Sequence, residues 1–272
     1  MTIFEIHDAA QITENMTDRV VGYLFYYERA RRFYAEIPDG VDEWEAPAMF
    51  HGFVKRGKRS IDAEWSMKWV GQRIIPPDRQ NLGAILRENG LHTYDEYKLL
   101  CLSEGRCAQD ELYITRTEYD LLPEEIRGRL DRKVKDILPC RGNRVLVFFK
   151  DDTARRIELE PLFLENDRFG RIRREQELFL RVKVSPGGNG IEWGENYSIP
   201  AEWLYTAGEI AGVGYQDFVT YAKTRLVDTT GASELLGVSR QYLDQLVREG
   251  RLGPVLSGEK CRIFIRAELE GL

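Results

Sequence analysis

Residues 226–252 read LVDTTGASELLGVSRQYLDQLVREGRL. Two short amphipathic runs, Gly231–Leu236 and Arg240–Glu249, are separated by the three residues 237–239. Three residues leave room only for a tight turn between two helices. The spacing therefore predicts a helix-turn-helix.

The residues within this stretch fit the roles that such a motif requires. A side-chain oxygen at a helix start accepts a bond from an unpaired backbone N–H, so we expect Thr229 or Thr230 to cap the first helix and Ser239 the second. Apolar residues at helical spacing would form the core between the helices: Ala232, Leu235, Leu236, Val238, Leu243, Leu246 and Val247. The polar residues predicted to face outward are Arg240, Gln241, Asp244, Gln245 and Arg248.

A small residue and paired leucines precede Gly-Val-Ser-Arg at residues 237–240, and Tyr242 follows within the second run. This order resembles the excisionase-like branch of the MerR-type winged helix-turn-helix proteins. In that family, segments like residues 254–265 form a wing hairpin and segments like residues 266–269 form a last short helix. The resemblance implies that the second helix enters the major groove of double-stranded DNA. The predicted DNA-binding residues are Thr230, Ser239, Arg240, Gln241, Tyr242 and Arg248, with Lys260 and Arg262 on the wing.

The charge of the C-terminal segment departs from what DNA binding favours. Residues 223–272 contain eight basic and seven acidic side chains. Affinity for DNA depends heavily on neutralising phosphates, so a homodimer or a second basic surface would be needed. The alternative is a helix-turn-helix used only for packing or for protein contact.

Composition limits the function classes. The length of 272 residues, with 43% apolar residues, predicts a globular protein of two or three domains. The net charge of −6 argues against an indiscriminate nucleic-acid binder. With no apolar run of eighteen residues and no signal-peptide pattern, we expect a cytoplasmic protein that makes no membrane contact.

The sequence offers little sign of catalytic or metal chemistry. The four cysteines are scattered, and we expect them to be reduced and mostly buried. Neither their spacing nor that of the three histidines matches a zinc site. Nothing places a nucleophile beside a base at a recognisable spacing. The expectation is a protein without a cofactor or metal that is not an enzyme.

Residues 1–120 are predicted to be mainly helical. Apolar residues at spacings of three and four predict one long helix over Met16–Ile37. Shorter helices are predicted over Ala46–Val54, Ala63–Ile74, Arg79–Glu88 and Tyr94–Leu102. Trp44, Trp65 and Trp69 are expected in the core. The region resembles uncharacterised bacterial proteins that also end in a helix-turn-helix, a likeness that implies no activity.

The middle of the chain changes character near Pro123. Glu124–Ile137 is predicted to be a charged helix in the most basic stretch of the chain, which could contact phosphates or be an exposed mixed-charge helix. A hairpin is predicted from Arg144–Lys150 and Arg155–Leu159, and strands from Leu178–Ser185 and Ile191–Trp193 around a glycine-rich turn.

The hairpin 145–159, a strand at Phe179, Ile191-Glu192-Trp193 and the closing residues 199–205 resemble the bacterial domain of unknown function numbered 2442. Members of that family are small α+β folds that frequently accompany toxin–antitoxin-like gene pairs. The resemblance implies an interaction module. An arginine-rich insert, with Arg168, Arg171, Arg173 and Arg174, lies between the strands; it could bind a partner or be a solvated loop.

The predicted architecture is an α+β multidomain protein. It comprises a helical domain at 1–120, a small α+β domain with antiparallel hairpins at 121–207, a linker and connecting helix at 208–225, and a winged helix-turn-helix at 226–272. The predicted function is sequence-specific DNA binding by a bacterial transcriptional regulator, as a homodimer. A protein partner could bind residues 1–207, and the alternative is an antitoxin-like protein or adaptor that mainly binds another protein.

Overall fold

The chain folds into a mixed α+β structure in which the paired strands are antiparallel. The structure is a computed structural model that describes residues 1–12, 17–194, 196–258 and 261–271. It divides into two compact units, Met1–Arg129 and Leu130–Leu272. The α+β class expected from the sequence is thus confirmed, with four antiparallel sheets among the described residues.

The first unit is built on a five-stranded antiparallel sheet. Its strands are β1 (Thr2–Ile12), β2 (Asp18–Tyr27), β3 (Arg32–Glu36), β4 (Ser60–Ile61) and β5 (Leu112–Thr117), in the order β4-β3-β2-β1-β5. Four helices accompany the sheet: α1 (His51–Val54), α2 (Ala63–Gly71), α3 (Leu82–Glu88) and α4 (Glu96–Leu102). The short helices expected from the sequence are therefore present with shifted ends.

The long helix predicted over Met16–Ile37 is wrong, because its described part forms the hairpin of β2 and β3. Residues 21–26 of β2 are all buried, so both faces of the strand contact other residues. A fully apolar run satisfies helical and extended spacing alike, and its valines and aromatic residues favour a strand. Arg31 adopts a positive φ of 51° in the turn between the strands. The prediction of a mainly helical N-terminal region therefore fails.

The tryptophans of the first unit occupy different environments. Trp69 is almost fully buried, and Trp65 packs against the edge of the same core. Trp44 is 75% exposed, so its predicted place in the core is wrong. It follows a turn in which Asp42 accepts backbone N–H bonds from Trp44 and Glu45, and this turn holds the side chain outside.

The helix predicted over Glu124–Ile137 is half right. Helix α5 covers Glu124–Asp131, but Val134–Cys140 is the strand β6, which pairs antiparallel with β7 (Arg144–Phe149). Val134, Ile137 and Leu138 are buried in the sheet. The predicted hairpin is confirmed, since β7 pairs with β8 (Ala154–Glu158).

The second unit contains two sheets in its middle part. The four-stranded sheet has the order β12-β8-β7-β6, and a three-stranded sheet is made of β9 (Lys183–Val184), β10 (Gly190–Glu192) and β11 (Ser198–Pro200). Strand β12 (Glu209–Ile210) and helix α10 (Tyr215–Arg225) lie within the predicted linker. The remaining helices are α6 (Glu160–Glu165), α7 (Gly170–Arg174), α8 (Gln176–Phe179) and α9 (Ala201–Ala207).

The structure of this middle part differs from the predicted strand at Leu178 and shows what the arginine-rich insert forms. Leu178 and Phe179 belong to α8, so the strand predicted from Leu178 begins only at Lys183. Phe179 packs with Phe163 and Trp193 in an aromatic core. A residue at the end of a helix can fill this position in the core as well as a residue of a strand can. The arginine-rich insert is not an irregular loop, because part of it forms α7. Burial of Ile172 gives that helix an apolar anchor.

The last elements follow in quick succession. They are β13 (Leu226–Asp228), α11 (Thr229–Leu236), α12 (Arg240–Arg248), β14 (Leu256–Ser257), β15 (Arg262–Ile265) and α13 (Arg266–Gly271). The three strands form a small antiparallel sheet in the order β13-β15-β14.

Gly188 allows a close backbone approach that can be tested. Its φ is +79°, and a Cβ there would lie 2.2 Å from the carbonyl oxygen of Val134. We expect G188A to lower the free energy of unfolding by more than about 3 kcal/mol, which is large for one substitution. The measurement is urea unfolding of the full chain.

Gly142 provides the matched control, because its φ is +73° and a Cβ there would make only an ordinary contact of 3.9 Å with the Arg144 Nε. G142A should lower the free energy of unfolding by only about 1–2 kcal/mol, because alanine disfavours the left-handed conformation. Equal losses for the two variants would contradict the clash at Val134.

Candidate nucleic-acid interface

Helices α11 and α12 form a compact pair joined by a three-residue turn. Gly237 takes the left-handed conformation, with φ of 65°, and ends α11. The Ser239 Oγ then accepts the Tyr242 N–H at 3.2 Å and caps α12, as predicted. The cap of α11 is Asp228, whose Oδ1 accepts the Gly231 N–H at 2.8 Å. The predicted caps Thr229 and Thr230 are therefore wrong, because the helix already begins at Thr229.

The predicted core of this pair is confirmed. Ala232, Leu243 and Leu246 are buried, together with Leu252, Phe264 and Leu269 from the later elements. The other predicted core residues pack at the edge of the cluster: Leu235, Leu236, Val238 and Val247. Burial of one side of α12 fixes which side faces outward.

The outward side of α12 is polar and open. Arg240, Gln241, Gln245 and Arg248 are exposed. The Tyr242 side chain is also exposed, at 43%. Residues 241, 245 and 248 recur at spacings of four and three, so they lie on one face of the helix. Asp244 is half-buried, which differs from its predicted outward position.

Several of these side chains are already engaged. Arg240 Nη2 donates to Thr230 Oγ1 at 2.8 Å, which links the two helices. Gln245 donates to Glu249 at 2.7 Å, and Arg248 Nε donates to the Asp244 carbonyl oxygen at 3.3 Å. Among these outward side chains, Gln241 makes the fewest described contacts within the protein.

The hairpin after α12 brings a further arginine to this surface. Strand β14 pairs with β15 through Leu256–Ile263 and Ser257–Arg262. Arg262 forms an ion pair with Asp244, and this pair explains the half-buried carboxylate. The predicted site residue Lys260 lies outside the described residues. The hairpin is therefore tied to α12 by a charge pair that partly neutralises Arg262.

A buried polar cluster connects this C-terminal part to the four-stranded sheet. Arg225, at the end of α10, pairs with Asp136 of β6 and lies 3.5 Å from Glu270 of α13. Both members of the Arg225–Asp136 pair are about 5% exposed. Tyr221 donates to Asp136 at 2.7 Å, and burial, followed by the charge of Asp136, raises the pKa of the Tyr221 hydroxyl. Sequence reasoning missed this cluster because its members are far apart along the chain.

The basic stretch near α5 is partly used inside the protein. Arg129 pairs with Glu36 and Asp39 and donates to the Ile37 carbonyl oxygen. Lys133 is buried, and exposed Lys135 pairs with Asp152 at 3.0 Å. In the insert, Arg171 pairs with Glu175 and Arg173 with Glu160. The exposed arginines with no ion pair among the described contacts are Arg132, Arg141, Arg144, Arg168 and Arg174.

The first unit contains a small cavity of about 220 Å³ beside a buried arginine. Arg73 pairs with Asp110, and its guanidinium lies 3.8 Å from the Trp69 ring centre. Burial lowers the pKa of Arg73. Asp110 and the Trp69 ring thus engage the arginine within the protein.

Metal-ligating residue types, cysteine thiols and helix lengths are known for the part of the chain that the structure describes. No group of three or more His, Cys, Asp or Glu side chains there is placed to hold a metal ion. The four cysteines are free thiols, three half-buried and Cys261 exposed, so the expectation of mostly buried thiols is wrong. Within the described residues, every helix is too short or too polar to cross a bilayer.

Comparisons with known proteins add little. No family model matches the chain, and no curated protein matches it. A solved structure, "Putative DNA Binding Protein" from Nitrosomonas europaea, is 15% identical and covers 45% of this chain and 79% of its own, with a TM-score of 0.26. A likeness this low carries no argument about function, which must rest on the geometry.

The buried pair of Arg225 and Asp136 makes a strong prediction. D136N keeps hydrogen-bonding capacity but leaves Arg225 without its main counter-charge, so we expect a loss of about 3 kcal/mol in the free energy of unfolding. The measurement is the midpoint of urea unfolding. Replacing both residues, as D136N/R225M, should recover part of the loss, since the buried charge is then absent.

Asp152 serves as the control, because it pairs with Lys135 while 85% exposed. D152N should change stability by less than about 1 kcal/mol. A D136N variant as stable as D152N would show that the buried charge pair does not hold these elements together.

Proposed function

We propose that this chain is a sequence-specific DNA-binding protein, a transcriptional regulator that uses residues 226–272 as a winged helix-turn-helix of the excisionase-like MerR type. The observation that carries the proposal is the exposed polar face of α12, opposite a face buried in a small core. Arg and Gln side chains in the major groove can recognise guanine and adenine edges by paired hydrogen bonds. In this proposal Arg240 and Gln241, at the start of α12, make the base contacts.

The elements around α12 support the same assignment. Helix α11 braces α12 through the Arg240–Thr230 bond, and hairpin β14–β15 is held beside it by Arg262 and Asp244. In the proposed complex, Thr230, Ser239, Tyr242 and Arg248 lie near the backbone or the groove edge, and Arg262, with Lys260, lies on the wing. Phosphate contacts of this kind position a protein on the duplex, while base contacts select the sequence.

The upstream parts are proposed to have no catalytic role. In this proposal the middle region is an interaction module, as its sequence resemblance to domain of unknown function 2442 would imply. The proposed role of residues 1–207 is therefore to bind a protein partner or carry a sensor surface, while residues 226–272 contact DNA.

The proposal is tested by selecting bound sequences from a random DNA pool with the purified full-length protein at about 0.15 M salt. The salt must be fixed because phosphate contacts make affinity strongly salt-dependent. Enrichment of a defined motif would support sequence-specific binding. Folded protein that enriches nothing would overturn it.

Gln241 gives the sharpest single-residue test. Q241A removes an exposed side chain that has little role inside the protein, so thermal stability should stay unchanged. Binding to the selected motif should weaken by about 1–3 kcal/mol, the usual discrimination of a good base contact. Binding is followed by fluorescence anisotropy with labelled duplex. Q176A, an exposed glutamine of α8, is the matched control and should leave affinity unchanged.

Arg248 should behave differently from Gln241. If Arg248 contacts a phosphate, the R248Q variant should bind selected and scrambled duplexes more weakly to the same extent. The slope of log affinity against log salt should become shallower by about one unit per bound chain, because one phosphate contact is lost. An effect confined to the selected sequence would assign Arg248 to a base instead.

A further inference from the structure

Four large apolar side chains stand exposed on one short segment of the second unit. Ile210 is 74% exposed, Val213 50%, Tyr215 77% and Phe218 62%. Together we call these residues the α10 patch. Large exposed apolar patches mark interaction sites, because monomeric proteins rarely leave them in water.

The backbone places the patch on an open side of the unit. Among the described residues, strand β12, which carries Ile210, is an edge strand of its sheet, so one of its sides has no neighbouring strand there. Residues 215, 218 and 222 follow helical spacing along one side of α10. The adjacent side bears Asp217, Tyr221 and Arg225, which bond to Arg156 and Asp136.

The charge of this segment suits a surface that pairs with itself. Among residues 208–222 the only charged side chains are Glu209 and Asp217. Asp217 is neutralised by Arg156 at 2.9 Å, and the Gly214 N–H and this arginine hold its pKa below the ordinary value. A two-fold interface brings the same patch together from both copies, so unpaired like charges would repel. The α10 patch has almost none.

The C-terminal segment also calls for a second copy. Residues 223–272 are nearly neutral, and in the basic stretch near α5 Arg129 and Lys135 are engaged in ion pairs. The C-terminal segment of one chain therefore offers little net positive charge for phosphates, whereas two joined chains double the contacts. Two residues of the patch, Tyr215 and Phe218, lie on the helix that leads directly into this segment.

We propose that the α10 patch is the homodimer interface of this protein, and that its partner is a second copy of the chain. The choice of partner rests in part on the proposed function. Helix α10 of one copy packs against α10 of the other, with Phe218 near the centre of the contact. Aromatic residues bury about 150–250 Å² each. Tyr215 and Phe218, with 77% and 62% of their surface exposed, can therefore supply part of the roughly 800 Å² per chain that a stable interface buries.

The experiment is sedimentation equilibrium of the full-length protein without DNA at micromolar concentration. The wild type should have twice the chain mass of 31.6 kDa. F218D places a charge at the centre of the patch, so it should sediment as a single chain. L164D is the matched control, because Leu164 is a 59% exposed leucine on α6, and this variant should remain a dimer.

Circular dichroism and urea unfolding check that F218D is folded; if it is not, F218S, which only removes the apolar ring, must weaken dimerisation. A monomeric wild type would overturn the proposal and assign the patch to a different protein. A dimeric wild type that F218D and F218S leave intact would overturn it as well.

Binding of the selected duplex is measured separately on the same variants. Loss of the dimer in F218D together with at least tenfold weaker DNA binding supports both proposals. A wild-type dimer that binds no DNA leaves the interface standing and overturns only the proposed function.

Discussion

The C-terminal part of this protein depends on one buried ion pair, Arg225 with Asp136. A buried charge is costly unless it is paired and hydrogen-bonded, so the end of α10 has few alternatives to its place against β6. Tyr221 and Glu270 bond to the same pair. Because β13 starts at the next residue, this cluster also sets where α11 and α12 begin relative to the four-stranded sheet.

This anchoring connects the two surfaces for which we propose functions. The inner side of α10 is fixed by polar bonds, which leaves its apolar side in water. The inner side of α12 is fixed by the small core around Leu243 and Leu246, which leaves its polar side in water. Since both helices belong to one unit, a contact through α10 would hold two copies of α12 at a constant separation. Paired DNA-reading helices require such a separation, about 34 Å on half-sites one turn apart.

The distribution of charge explains why one copy would be a weak DNA binder. Several arginines and lysines near α5 and in the α7 insert pair with carboxylates. Arg262 of the hairpin is likewise paired with Asp244. Part of the basic residues that look available in the sequence are thus structural, and the net charge of −6 argues against indiscriminate binding to nucleic acid.

The sequence by itself determined the elements whose signals are local. The turn at Gly237, the Ser239 cap, the apolar spacing of α11 and α12, and the hairpin of β7 and β8 depend on neighbouring residues, and all could be predicted. Tertiary structure decided the rest. The run in β2 is buried on both faces, so periodicity could not separate strand from helix. Arg225 and Asp136 are 89 positions apart in the sequence, so no local sequence pattern could predict their contact. The exposure of Phe218 was equally hidden, because only the packed sheet shows which side of α10 is left uncovered.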